Sequence, residues 1–285
     1  MILSFHPCID AHAQVILGVR TLDSSDLKWV RKADAIILPQ TCPQDLYEAC
    51  SGSGALVFPN YETRFKYPGK IGQSLLFGDL DLPHPETFCW GTIKDFEDAY
   101  PGWDPLPHTL PFFVKEDMSH EAEAVFLVEG RTSLIDALDH LALRERSGLY
   151  GFVSQAYIPC DGNVLRTVIM GKRVITYWKR PNKQGQVITT ISRGAIIDND
   201  WRPDLQEKGK AHAMALAEGT GINLAAIDFL FPLSDKDPEP LFLEINYYFG
   251  RRGLGGTEKY YSLLFEAVRG WLEDAGIDPG AIKLA

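Results

Sequence analysis

A chain of 285 residues has room for one lobed domain or two average ones, and its 45% apolar and 23% charged composition excludes disordered and fibrous classes. With 28 Lys plus Arg against 38 Asp plus Glu, the net charge of −10 speaks against nucleic acid as a partner while allowing a small anion in a local basic pocket. Five scattered cysteines without C-x-x-C spacing, no leader-like start and no apolar run of the ~18 residues that cross a bilayer give the expectation of a cytoplasmic protein without membrane contact or a disulfide framework.

In chain order, the apolar runs Ala35–Pro39 and Ala55–Phe58 are short enough to be buried strands. Pro43 to Cys50 reads as a short helix between them, ended by Gly52-Ser-Gly54. Strands alternating with helices predict a small parallel α/β unit over residues 1–85. Pro101, Pro105, Pro107 and Pro111 then form a stiff connection that reads as a boundary between lobes. Phe112–Lys115 and Val125–Val128 follow as strands. Thr132 or Ser133 caps a helix with Leu134, Ile135, Leu138 and Leu141 on one face, ending near Gly148. Residues 86–150 make a small lobe. From Gly151 the pattern changes to longer strands: Phe152–Ile158, Val164–Met170, Arg173–Trp178, Val187–Ile191, Ala225–Phe231 and Leu241–Asn246. Helices from about Asp204 to Glu218 and from Thr257 to about Ala275 accompany them, and Gly171-Lys172 makes a hairpin turn. The fold class is α/β in front and α+β behind, with 151–285 as a large lobe.

Two late strands carry charges where packing wants none. Asp228 is flanked on both sides by apolar residues, and Leu241-Phe-Leu leads into Glu244 and Asn246, which alternation puts on one face. An unpartnered buried carboxylate costs several kcal/mol or neutralises, and two in adjacent strands repel. A hard cation, Mg²⁺ or Mn²⁺, removes both problems; pairing of each acid with a buried arginine is the alternative. Lys115, Arg166, Arg180 and Arg193 all lie in or beside apolar strands. They either neutralise those acids or line a triphosphate pocket, lysine as a point charge and arginine as a bidentate fork. No G-x-x-x-x-G-K-[ST], G-x-S-x-G or H-E-x-x-H motif occurs, and the glycine-rich run Gly250–Gly256 lacks dinucleotide-fingerprint spacing and reads as a substrate-side loop.

In this order the features resemble the ATP-grasp superfamily, in particular its RimK-like branch of carboxylate–amine ligases, relatives of glutathione synthetase. Phe152-Val-Ser-Gln155-Ala-Tyr157-Ile158 is similar to the strand and hinge for adenine, and Arg166 before Gly171 to its arginine–strand–glycine hairpin. Arg193-Gly194, Ala226-Ile-Asp228 and Phe242-Leu-Glu244-Ile-Asn246 resemble the phosphate-side and metal-binding segments. Asn60 and Lys70-Ile-Gly-Gln resemble the entry to the nucleotide domain. The chain departs from the pattern in a glycine-free loop at 116–123, expected to close through Ser119 and His120, and in Val164 and Ala156, which stand where the family has acids.

The resemblance implies an ATP-grasp fold, a small N-terminal parallel domain preceding two lobes that enclose ATP. It implies adenine at Gln155, Tyr157 and Ile158, ribose at Asp161, phosphates at Lys70 and Lys115, and Mg²⁺ on Asp228, Glu244 and Asn246. Arg166, Arg193 and Arg180 would stabilise the phosphoryl group as an acyl phosphate forms from a small-molecule or peptide carboxylate and is taken by an amine or a thiol. Self-association is a further family-level expectation. A nucleotide-binding regulatory module and an ATP-dependent phosphotransferase are the other function classes.

Overall fold

The computed structural model describes residues 1–119, 123–233 and 235–285, with the side chain of Arg193 also outside the description. Three sheets of four or five strands follow one another along the chain. The first contains β1 (Ile2–Ser4), β3 (Ala13–Gln14), β4 (Ala35–Ile37) and β5 (Leu56–Phe58), all parallel in the order β3-β1-β4-β5. A short β2 (Ile9–Asp10) pairs with the final strand, β15 (Lys283–Leu284), so the end of the chain is stitched to its beginning. α1 (Ser24–Val30) and α2 (Gln44–Ser51) connect the parallel strands, as their buried apolar residues require. α1 starts in a capping box, with Asp23 and Asp26 exchanging side-chain and backbone bonds.

α3 (Glu62–Lys66) and α4 (Gly69–Asp79) lead into the second sheet. This is antiparallel, built from β6 (Thr87–Trp90), β7 (Phe112–Glu116), β8 (Val125–Val128) and β9 (Phe152–Ala156) in the order β6-β9-β7-β8. α5 (Ile93–Ala99) and α6 (Arg131–Arg146) pack beside it over a core of Phe96, Phe112, Leu134 and Phe152. Two expectations are corrected here. The proline-rich stretch does not divide lobes, because β6 and β7, on either side of it, both pair with β9. Likewise β9 belongs to the smaller sheet rather than with the strands that follow it. Long-range pairing decides membership in a sheet, and local proline content does not report it.

The third sheet holds β10 (Val164–Met170), β11 (Arg173–Arg180), β12 (Ile196–Asp198), β13 (Leu224–Leu230) and β14 (Leu241–Asn246), antiparallel in the order β12-β11-β10-β13-β14. α7 (Pro203–Thr220) covers one face, its Leu205, Ala213 and Leu216 packing with Leu165, Ile169 and Trp178. α8 (Thr257–Asp274) covers part of the other. The expected strand Val187–Ile191 is instead a loop ending in a short 3-10 turn. It crosses Gly162 so closely that a Cβ there would lie 2.1 Å from the Gln186 carbonyl, and the positive φ of 68° also favours glycine. No described helix is long and apolar enough to cross a membrane.

Candidate functional site between the two antiparallel sheets

Cross-strand register assembles the centre of the site. Tyr177 faces Arg166, Arg166 faces Asp228, and Asp228 faces Glu244, a row across β11, β10, β13 and β14. Asn246 and Lys179 lie two residues further along their own strands, which puts them on the same face. A register shift between Asp228 and Phe229 places Leu243 as the extra residue beside Glu244; bulges of this kind re-aim side chains next to functional sites.

Asp228 is 2% exposed and fully engaged. Arg166 donates to it through both Nε and Nη2, at 2.8 and 2.7 Å, and Lys179 Nζ donates at 2.8 Å. Asn246 Nδ2 adds a longer bond of 3.4 Å. Burial alone would push the Asp228 carboxyl up, but the two cations outweigh it and hold it at about 2. For Lys179, burial and then Arg166 lower the ammonium against the pull of Asp228. Of the two candidates in the row Asp228–Glu244, the arginine pairing weighed as an alternative is therefore what the structure places at Asp228. Among the described residues, no group of three His, Cys, Asp or Glu side chains is arranged to hold a metal.

Arg180 lies on the other face of the sheet. Its guanidinium bonds Asp198 at 2.7 Å and sits 4.4 Å from the Trp201 ring, which itself packs on Trp178. The expectation that Arg180 joins the phosphate side is corrected: alternation turns it toward α7 and turns Lys179 toward Asp228. Sequence reasoning missed Lys179, although counting two residues on from Tyr177 finds it. The side chains of Arg193 and His120 lie outside the described residues.

A narrow cavity between the sheets is lined by Lys70, Gln73, Thr87, Lys115, Gln155 and Glu244, among others. It admits little more than one water molecule, 20 Å³. Lys115 Nζ donates to Gln155 Oε1, whose amide nitrogen donates to Thr87 Oγ1 at 2.9 Å. Burial brings the Lys115 ammonium down to about 8, Glu244 resisting and Lys70 adding to the fall. Lys70 is likewise lowered by burial against Glu244, and its Nζ donates to the Ser119 carbonyl at 2.8 Å and to Ser119 Oγ at 3.0 Å. So Lys70 ties down the start of the glycine-free loop. Asp117, also unforeseen, accepts from Ile71 N at 2.8 Å in the first turn of α4. Gln73 exchanges two bonds with the Ile245 backbone, at 2.9 and 2.8 Å, and so fixes α4 to β14.

Beyond Gln155 the chain leaves the sheet as an extended hinge. The Tyr157 ring stacks at a tilt, 6.0 Å from Phe113. Ile158, Leu241 and Leu243 pack around Cys160, Val164 and Leu230 as an apolar wall, and Asp161 stands exposed in a turn at φ 48°. Of the expected set, the structure gathers Lys70, Lys115, Gln155 and Glu244 on the cavity, puts Arg166, Asp228 and Asn246 alongside, and leaves Arg180 apart.

A family model for the RimK-like ATP-grasp domain matches residues 89–262. Among solved structures, the chain is similar to a RimK domain ATP-grasp protein from Sphaerobacter thermophilus, with a TM-score of 0.58 and 15% identity over 82% of this chain and 81% of the other. It is similar to a D-alanine–D-alanine ligase from Bacillus anthracis complexed with ATP, with a TM-score of 0.60 and 15% identity over 92% and 88%. It also resembles an L-amino acid ligase from Bacillus licheniformis, with a TM-score of 0.54 and 16% identity, of which it spans 58%. These likenesses are ones of fold. No curated protein matches the sequence.

Proposed function

Since the chain belongs to the RimK-like ATP-grasp family, we propose that it is an ADP-forming carboxylate–amine ligase. The observation that carries this reading is the convergence of Lys70, Lys115 and Glu244 on one cavity beside the Arg166–Asp228 pair. Four cations (Lys70, Lys115, Arg166 and Lys179) stand against the three carboxylates Asp228, Glu244 and Asp117, a surplus of positive charge that suits a triphosphate. Adenine would lie against the hinge at Gln155–Ile158 and the apolar wall of Leu241 and Leu243, with Asp161 near the ribose. Lys70 and Lys115 would exchange Ser119 and Gln155 for phosphate oxygens, which requires the two sheets to part before nucleotide enters so small a space.

The donor set also suits Mg²⁺, with one change from the sequence expectation. Glu244 faces the cavity and Asn246 Oδ1 is not engaged by Asp228, whereas Asp228 can ligate only by releasing Arg166 or Lys179. Mg²⁺ commonly takes one or two protein oxygens and completes its shell with phosphate and water. Bound at Glu244 and Asn246, it would offset charge on the phosphates. Arg166 would hold the transferring group while a substrate carboxylate oxygen bonds to the γ-phosphorus and the bond to the β–γ bridging oxygen breaks, releasing ADP. An amine nitrogen then bonds to the acyl carbon, phosphate leaves, and the amine proton passes to solvent. Positioning and electrostatics supply the acceleration.

The test is release of ADP and phosphate by the purified protein with Mg-ATP. The reading expects release only when a carboxylate and an amine are both present. Transfer to a product without an amine would make it a phosphotransferase. Tight Mg-ATP binding with no release over a broad substrate panel would make it a nucleotide-responsive module, the reading favoured by the glycine-free loop fastened through Lys70 and Ser119.

A further inference from the structure

A second cavity, of 330 Å³, shares no lining residue with the one at Lys70 and Lys115. It opens where α8 meets the turn between β10 and β11 and the end of β5, so three separate stretches of the chain build it. Met170, in its wall, stands four residues along β10 from Arg166, which puts the cavity about 13 Å from the Arg166–Asp228 pair. Small-molecule pockets usually hold roughly 300–1,000 Å³, and this one falls within that range.

The spacing of α8 explains the opening. Leu263, Ala267, Gly270 and Asp274 recur every three or four residues and so share one face of the helix. At Ala267 that face touches the hairpin turn, for a Cβ added to Gly171 would lie 3.1 Å from the Ala267 Cβ. One turn later, a Cβ added to Gly270 would meet nothing within 4 Å. Glycine inside a helix costs about 1 kcal/mol relative to alanine, and no close contact requires it here. What its missing side chain leaves is the cavity. Phe58, Met170 and Leu263 make a buried apolar floor, with the Trp271 ring 5.5 Å from Phe58 at 46°. Two ion pairs stand exposed at the mouth, Lys172 Nζ to Asp274 Oδ1 at 2.7 Å and Arg173 Nη2 to Glu266 Oε2 at 2.9 Å. Each charge already has its opposite, so a charged ligand would find no free counter-charge over that floor. Asn223 adds a single uncharged polar group. Its Oδ1 accepts from Asn60 N at 2.8 Å, and among the described residues its Nδ2 makes no bond.

We propose that this cavity is a binding site for an uncharged aromatic molecule bearing a hydrogen-bond acceptor. The ring packs against Phe58 and Trp271, and the acceptor meets Asn223 Nδ2. The paired charges at the mouth leave the site neutral and so select against anions and cations alike. Because its walls come from β5 of the first sheet, the β10–β11 turn and α8, a bound ring braces the N-terminal sheet against the large lobe. The site does not depend on the ligase reading.

The test is ligand-detected NMR titration of the full-length protein with benzamide, benzoate, benzylamine and cyclohexanecarboxamide, in the presence of a saturating non-hydrolysable Mg-ATP analogue. Benzamide is expected to bind about tenfold or more tightly than benzoate and benzylamine, and several-fold more tightly than cyclohexanecarboxamide. Gly270→Leu fills the cavity from a helical position with free space around it. It should abolish benzamide binding while the thermal midpoint holds or rises and the analogue binds as before. Asn223→Asp keeps the acceptor for Asn60 N and removes the amide donor; it should weaken benzamide about three- to tenfold and provides a second reading if the first variant misfolds. Equal binding of charged and neutral probes, undiminished binding to Gly270→Leu, displacement of benzamide by the analogue, or no binding by any probe overturns the proposal. So does a dimer that Gly270→Leu disperses, which would assign the cavity to a second copy of the chain. Failure of the ligase reading shows separately, as absent ADP release while benzamide binding persists.

Discussion

Asp228 and Glu244 stand directly opposite each other on neighbouring strands, yet their surroundings differ completely. Asp228 is buried under Arg166 and Lys179, whereas Glu244 faces the cavity with no ion pair among the described residues. The bulge beside them makes the difference possible, since it lets β14 turn one acid toward the cleft while β13 keeps the other in the sheet. One carboxylate therefore organises the cations, and the other is free to meet what those cations attract.

The largest effect separates these two acids. Asp228→Asn leaves two buried cations without a counter-charge and should cost about 3–5 kcal/mol of stability in urea unfolding. Glu244→Gln should cost less than this, because Glu244 makes no ion pair among the described residues and only offsets through space part of the burial of Lys115 and Lys70, while the Mg²⁺ dependence of nucleotide binding is lost. Equal destabilisation by the two changes would remove the contrast.

A second comparison sets Lys115 against Lys70 on the same cavity. Lys115 has one amide oxygen as its partner, so Lys115→Met should weaken Mg-ATP binding by about 10- to 100-fold in equilibrium dialysis without unfolding the chain. Lys70→Met should combine a smaller loss of affinity with increased protease cutting in the loop it fastens, since its ammonium holds Ser119 as well.

How far the sequence reaches follows from the same residues. Strand alternation was enough to place Glu244 with Asn246, and apolar runs marked β10, β13 and β14, because period and burial are local properties of the chain. The partner of Asp228 was not local: register between β10 and β13 decides that Arg166 faces it, and nothing in either strand states that register. Arg180 was misplaced for a related reason. Two adjacent cations look equivalent until one is counted against Tyr177, and only Lys179 then falls on the cleft face. The lobe boundary failed where prolines at 101–111 joined two strands of one sheet, a relation made only through β9.

The pH dependence of Lys115 sharpens the comparison of the two lysines. Its ammonium sits at about 8 in the folded chain against the usual 10.5. Below about 8 both folded and unfolded chains carry the charge, and the folded one bears the full cost of burying it. Between about 8 and 10.5 the folded chain binds fewer protons, so this group makes stability rise with pH in that window. Nucleotide needs the charged form, so its affinity should fall with rising pH above about 8, by at most about tenfold per unit. Lys115→Arg, charged throughout, should flatten that fall in a series of dialysis measurements.

The smallest effect belongs to Arg180, and it tests which face of β11 the site uses. Its ion pair with Asp198 is more than a third exposed on the arginine side and is discounted by solvent, and its stacking on Trp201 adds a modest contribution. Arg180→Met should therefore cost no more than about 1 kcal/mol and leave Mg-ATP affinity unchanged. Lys179→Met, one residue away, removes one of the two cations on Asp228 and leaves its Oδ2 with only Arg166 Nη2 and the longer bond from Asn246 Nδ2. That oxygen can then join Glu244 and Asn246, so the Mg²⁺ concentration needed for half-maximal nucleotide binding should fall. Should Arg180→Met move that midpoint and Lys179→Met leave it in place, the two faces of the strand have been assigned the wrong way round.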